Sequence, residues 1–148
     1  MALVLFTKGH SAWSKLICSV LDEPYSHVSV CQDGFVYHSD LLGVRREPFN
    51  SFAKRQSTIV PVEIADIPDI TDKYAKYDKS WYDVGAGLFI GFSFLARKYL
   101  RIPLPKSNLW QSNGTFICTE WSTEALGEVD SMITPYGLFL QLGGTAVG

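Results

Sequence analysis

Three histidines and three cysteines carry the nucleophilic and proton-transfer chemistry this chain could perform. His27 and His38 bracket the stretch Tyr25-Ser26-His27-Val28-Ser29-Val30-Cys31-Gln32-Asp33-Gly34-Phe35-Val36-Tyr37-His38-Ser39. An imidazole exchanges protons near neutral pH. Paired with a thiol and held by a polar neighbour, it makes a nucleophilic site. Spacing selects among the cysteines. Cys31 lies four residues along an extended run from His27, roughly 13 Å away at the rise of a strand, too far for direct proton transfer. Cys18 falls within a helical stretch, where the macrodipole lends a thiolate little help. Cys118 follows Ser112-Asn113-Gly114 and the apolar lead Phe116-Ile117, and opens Thr119-Glu120-Trp121-Ser122-Thr123-Glu124-Ala125-Leu126. A cysteine in a first helical turn is expected to have a lowered pKa. Free N–H groups at that end can hold an oxyanion. The expected roles are Cys118 as nucleophile, His27 as base and His38 as the residue that fixes the His27 ring. Tyr25 is a candidate oxyanion or substrate-binding side chain. Cys18 and Cys31 read as structural, and His10 as a loop residue.

These residues need elements to position them. Val28, Val30, Phe35 and Tyr37 are strand formers, and Gln32-Asp33-Gly34 is a turn signal, so the histidine stretch reads as a β-hairpin. Alternation places His27, Ser29 and Cys31 on one face. Side chains paired across such a hairpin lie about 5 Å apart, which sets His27 and His38 side by side. Upstream, 2–6 reads as a buried strand and 7–10 as a loop. Ser11 is the expected N-cap of a helix over 12–21, with Leu16, Ile17 and Val20 as its apolar stripe. Downstream, 41–46 is a short strand and 48–53 a helical turn. The segment 57–64 is a strand in which Pro61 signals an edge or bulge. Helices are expected over 66–81 (after Pro68), 82–100 and 116–126, the last stopped at Gly127. Thr134-Pro135 opens a final short helix, and 143–148 is a frayed tail.

Composition narrows the function classes. The chain has 148 residues, 47% hydrophobic and 14% aromatic, with a net charge of −2. That suits one folded domain spanning 1–148 and gives no general electrostatic drive toward nucleic acid or an anionic membrane. An odd cysteine count without metal-site spacing predicts neither a disulfide framework nor a zinc site, and no cofactor or metal is expected. The apolar N-terminus lacks a basic lead and a cleavage site, so no signal peptide is expected and synthesis is expected in the cytoplasm. The apolar run 84–96 is shorter than the ~20 residues of a membrane span and reads as a core helix; membrane contact is not expected. Its functional alternative is an exposed apolar lip. Arg45, Arg46, Lys54 and Arg55 form a basic patch that reads as a solvated face, with an anionic partner as the alternative.

The run Tyr25-Ser26-His27-Val28-Ser29-Val30, followed by His38 eleven residues after His27, resembles the histidine motif of the NlpC superfamily of papain-like cysteine peptidases and amidases. The order, with histidines early and cysteine late, resembles its circularly permuted branch. Phe116-Ile117-Cys118-Thr119-Glu120-Trp121 resembles that branch's cysteine motif, with Thr119 where serine is commoner. Supporting echoes are Ser14-Lys15-Leu16-Ile17, Gly43-Val44-Arg45, Tyr82-Asp83 and Thr134-Pro135-Tyr136-Gly137-Leu138, so the likeness spans roughly residues 3 to 142. It implies an α+β fold, an antiparallel sheet packed against a cysteine helix. It also implies a Cys118-His27-His38 site that cleaves an amide through a thioester. A peptidoglycan stem peptide or related peptide is the expected substrate class, reached by lysis or from a virion if the chain is of phage origin. Lecithin retinol acyltransferase-like proteins share the permuted core, so a lipid-directed acyltransferase or thioesterase is the alternative. A non-catalytic binding module is a third reading, disfavoured because all three site residues are present.

Overall fold

The computed structural model describes residues 2–64, 69–78, 80–81, 84–105, 118–127 and 133–144. The architecture is α+β, with five antiparallel strands in one sheet and six helices among the described residues. The strands are β1 (Ala2–Gly9), β2 (His27–Gln32), β3 (Phe35–Asp40), β4 (Gly43–Pro48) and β5 (Gln56–Ile64), in the order β4-β3-β2-β1-β5. The helices are α1 (Ala12–Leu21), α2 (Phe49–Ala53), α3 (Ile70–Tyr77), α4 (Val84–Leu100), α5 (Cys118–Leu126) and α6 (Pro135–Gln141).

The β2–β3 hairpin forms where its turn residues demand. Asp33 and Gly34 take φ of 51° and 78°, the left-handed pair of a tight two-residue turn. Register then follows, with Gln32 opposite Phe35, Cys31 opposite Val36 and Val30 opposite Tyr37. Pro61, which cannot donate to a ladder, lies in the edge strand β5, consistent with the expectation for that segment. β1 runs through Gly9 rather than ending at Phe6 in a loop, because β5 pairs with it as far as Gly9 opposite Gln56. The hydroxyl of Ser11 accepts the Ser14 N–H at 3.1 Å, capping α1 as expected. Thr134 does the same for α6, accepting from Gly137 N at 3.0 Å, with Pro135 in the first turn.

Alternation divides the core in two. On one face, Ala2, Val30, Tyr37 and Val44 pack against Ile70 of α3 and Trp121 and Ala125 of α5. Val4, Phe6 and Val28 continue that face beneath Leu138 and Phe139 of α6. We refer to it as the helix face. On the other face, Leu5, Cys31 and Val36 pack against Phe52 of α2. This is the histidine face. The Lys73 ammonium reaches the last carbonyls of α5, Glu124 O at 2.6 Å, and so ties α3 to α5 where the helix dipole favours a cation.

Two apolar stripes point elsewhere than expected. In α1 the buried residues are Ser14 and Cys18, while Leu16 is half exposed. The Ser14 hydroxyl accepts the Gly9 N–H at 2.8 Å and bonds the Ser26 hydroxyl, which turns the small polar side of the helix inward. The segment 84–96 does not form a core helix. α4 buries Ile90, Ser93 and Ala96, yet Val84, Leu88 and Phe92 stand exposed. No helix among the described residues is long and apolar enough to cross a membrane.

Candidate active site

The hairpin places the two histidines together. His27 begins β2 and His38 lies near the end of β3, one step diagonal to each other on the same face. Their rings meet edge to face, centroids 5.3 Å apart at 88°. Phe52 closes over both, 6.2 Å from His27 and 5.3 Å from His38. His38 is almost fully buried, at 2% exposure, and its Nε2 lies 2.8 Å from Glu47 Oε1. Glu47 in turn takes the Arg55 guanidinium in a two-pronged ion pair, Nη1 to Oε2 at 2.9 Å. A second ion pair, Arg45 with Asp40, sits beside it, and the Asp40 carboxylate lies 4.0 Å from His38 Nδ1.

Charge and burial fix the protonation of this chain of groups. The His38 contact and the Arg55 pair hold the Glu47 carboxyl down at about 2, so it is ionised. An ionised carboxylate accepts, so His38 donates from Nε2. Burial pushes His27 down to about 3, helped by His38, Arg45 and Arg55. His27 is therefore neutral at physiological pH and has a lone pair to accept a proton. Around it, Thr7 Oγ1, Ser29 Oγ and His38 Nδ1 are buried with no hydrogen-bond partner among the described residues. Thr7 is the cross-strand partner of His27, and Ser29 shares its face. Buried polar atoms of this kind are rare and call for an explanation.

Cys118 is positioned by a different surface. It opens α5, as the sequence predicts, and packs with Tyr25, Val28 and Phe6 on the helix face. The Val28 N–H acts on its sulfur, which sets the thiol one residue along β2 from His27. A backbone N–H lies in the plane of the sheet, so this contact holds the sulfur at β2 itself, beside the residue that carries the imidazole. The expected lowering of the thiol pKa does not occur. Burial pushes Cys118 up to about 11, outweighing the N–H groups of Val28, Thr119 and Cys118 itself.

Tyr25 goes with the cysteine. It is buried in an aromatic cluster, its ring 5.9 Å from Phe6, 5.2 Å from Phe139 and 6.1 Å from Tyr136. Next to it, Glu23 accepts from the Thr134 hydroxyl at 2.6 Å and from Tyr136 N at 3.2 Å, which clamps the start of α6 to the chain entering β2. Of the four predicted site residues, His27 and His38 are in ring contact, and Cys118 packs against the cluster that holds Tyr25. Cys18 and Cys31 are buried and free, with thiols raised by burial. Tyr82-Asp83 and Phe116-Ile117 lie outside the described residues.

Sequence reasoning missed Glu47 as the partner of His38 and Arg55 as the partner of Glu47. The signal was present in part: Arg45 and Glu47 alternate along β4, and the register sets Arg45 opposite His38 and Glu47 opposite Val36, all on the histidine face. The basic patch is correspondingly engaged, Arg45 and Arg55 with carboxylates and Arg46 over the Phe35 ring at 4.3 Å. No group of three or more metal-ligating side chains occurs among the described residues. No protein-family model matches the sequence, and no curated protein matches it significantly.

Proposed function

We propose that the chain is a cysteine-dependent hydrolase that cleaves an amide by acyl transfer, with a peptide such as a peptidoglycan stem peptide as its substrate class. The observation that carries the reading is the oriented imidazole pair: neutral His27 against His38, with His38 held by ionised Glu47. A structural histidine needs no such chain of partners, whereas a base must have its ring and tautomer fixed. In the proposed reaction His27 takes the Cys118 proton and the thiolate attacks the carbonyl carbon. The N–H groups opening α5 hold the oxyanion. His27 then protonates the leaving amine, and water releases the acid from the thioester. The resting thiol is protonated and sits at the Val28 N–H, one residue along β2 from His27, so the reading requires its proton to pass to the His27 ring when substrate binds.

The test is acylation by p-nitrophenyl esters and peptide p-nitroanilides, with the modified residue located by mass spectrometry. An acyl group on Cys118, lost in Cys118→Ala and slowed at least ~100-fold in His27→Ala, is expected. His38→Ala should slow it less, since the base remains. Equal acylation of Cys18, Cys31 and Cys118, or a rate unchanged by His27→Ala, would remove the pair from the mechanism. A lipid-directed acyltransferase or thioesterase on the same residues is favoured by one observation, the exposed apolar side of α4. Faster acylation by long-chain than by short-chain esters would select it.

A further inference from the structure

The exposed side of α4 is unusual for a chain of this composition. At 3.6 residues per turn, Val84, Leu88, Phe92, Leu95 and Tyr99 fall within an arc of about 80°. Leu88 is 64% exposed, Phe92 69% and Tyr99 73%. The opposite side carries Ile90, Ser93 and Ala96, which are buried, so the helix is anchored by one side and shows the other. α1 packs beside it, Val20 and Leu21 lining a shared pocket with Phe94, and exposes Trp13 and Leu16. Contiguous apolar surface of this kind marks an interaction site, whereas single exposed apolar residues do not.

Charge identifies the occupant. The whole chain is acidic at −2, yet residues 12–22 and 84–102 contain Lys15, Arg97, Lys98 and Arg101 against Asp22 alone. Within 84–102 there is no acidic residue. Arg97, Lys98 and Arg101 all cluster at the C-terminal end of the helix, beside Tyr99, an aromatic whose ring and hydroxyl suit a water–lipid boundary. Lys98 lies 3.9 Å from the exposed Asp22 carboxylate, a screened contact that competes weakly with a dense anionic surface. An apolar stripe flanked by cations matches acyl chains beneath phosphate headgroups. A second copy of this acidic chain would offer only the same cationic region at a two-fold contact.

We propose that α4, supported by α1, docks the protein on the surface of an anionic bilayer, with Leu88, Phe92, Leu95 and Tyr99 entering the acyl boundary and Lys98 and Arg101 at the headgroups. The helix lies in the interface and does not span it. The inference is independent of the chemistry at Cys118, because its test measures binding directly.

The experiment is flotation of the intact chain with vesicles of phosphatidylcholine alone and with 30% phosphatidylglycerol, at low and high salt. Binding to the anionic vesicles is expected, weakened at least tenfold in Leu88→Ser/Phe92→Ser. Lys98→Gln/Arg101→Gln should weaken it by roughly fivefold per charge removed, as should salt. Both pairs lie on exposed positions, and circular dichroism verifies the fold of each. No flotation of the wild type at low salt would overturn the proposal. So would flotation that Leu88→Ser/Phe92→Ser leaves unchanged. A wild-type dimer that the same variant converts to monomer, without vesicle binding, would assign the face to a second copy and overturn it equally.

Discussion

The two faces of one sheet solve opposite problems with the same strand. On the helix face, β2 contributes Val28 and Val30, and burial against Trp121, Ala125, Leu138 and Phe139 supplies the stabilisation. On the histidine face it contributes His27, Ser29 and Cys31, covered by one short helix, and carries an ionised network running from His38 through Glu47 to Arg55. Apolar burial is proportional to area and tolerant of detail. A buried ionised network depends on every partner being present. Stability should therefore reside chiefly on the helix face, and pH sensitivity on the histidine face.

The largest effect tests the first half. Trp121 is fully buried at the centre of the helix-face core, and Trp121→Ala should cost about 3–5 kcal/mol in urea unfolding. Phe52→Ala should cost less, because Phe52 covers a smaller core; an equal or larger loss there would break the comparison.

Acid titration tests the second half. His27 has its folded pKa depressed to about 3 from an ordinary 6.5. Between those values the unfolded chain binds the proton and the folded one does not, so stability is complete above 6.5 and falls as pH drops toward 3. Glu47, depressed from 4.5 to about 2, adds a loss of the same sign at lower pH. His27→Gln should flatten the decline between pH 6.5 and 4, measured as unfolding free energy against pH. An unchanged slope would mean His27 is not the group that titrates.

Glu47→Leu should cost roughly 1–3 kcal/mol, by leaving His38 and Arg55 without their acceptor. It should also remove the hydrogen bond at His38 Nε2, read from the ring-nitrogen chemical shifts. The smallest effect is that of Cys118→Ala on stability, expected below about 1 kcal/mol because the change removes a single sulfur atom from a residue of intermediate exposure. Alkylation of Cys118 by iodoacetamide should follow the raised thiol pKa, near 11, in the resting protein. A value below the ordinary 9.0 would mean that the N–H groups around the sulfur outweigh its burial.

Much of the fold was legible because the signals were local. Ser11 before an amphipathic run gives α1, Asp33-Gly34 gives the hairpin turn, and Thr134-Pro135 gives the start of α6. The pairing of His27 with His38 was legible for the same reason: alternation and a short turn fix it within fourteen residues of chain. What failed depended on distant partners. Residues 7–9 looked like a loop and are strand because β5 lies beside them. Leu16 looked like core, but Ser14 turns toward Gly9 and Ser26 instead. The run 84–96 looked buried by composition alone, and composition does not say which sides of a helix find neighbours.

The candidate site divides along the same line. The sequence by itself determined which side chains share a face of β2 and β3, and that Cys118 opens a helix, because strand alternation and helix initiation are set by neighbouring residues. Only the tertiary structure decided which face that helix covers. Trp121 and Ala125 dock on Val30 and Tyr37, contacts separated by more than eighty residues of chain, and in doing so bring Cys118 to the Val28 N–H of β2. The same docking sets the thiol's pKa. A helix N-terminus is a local feature that lowers it, but desolvation is a property of everything packed around the sulfur, and here it is the larger of the two.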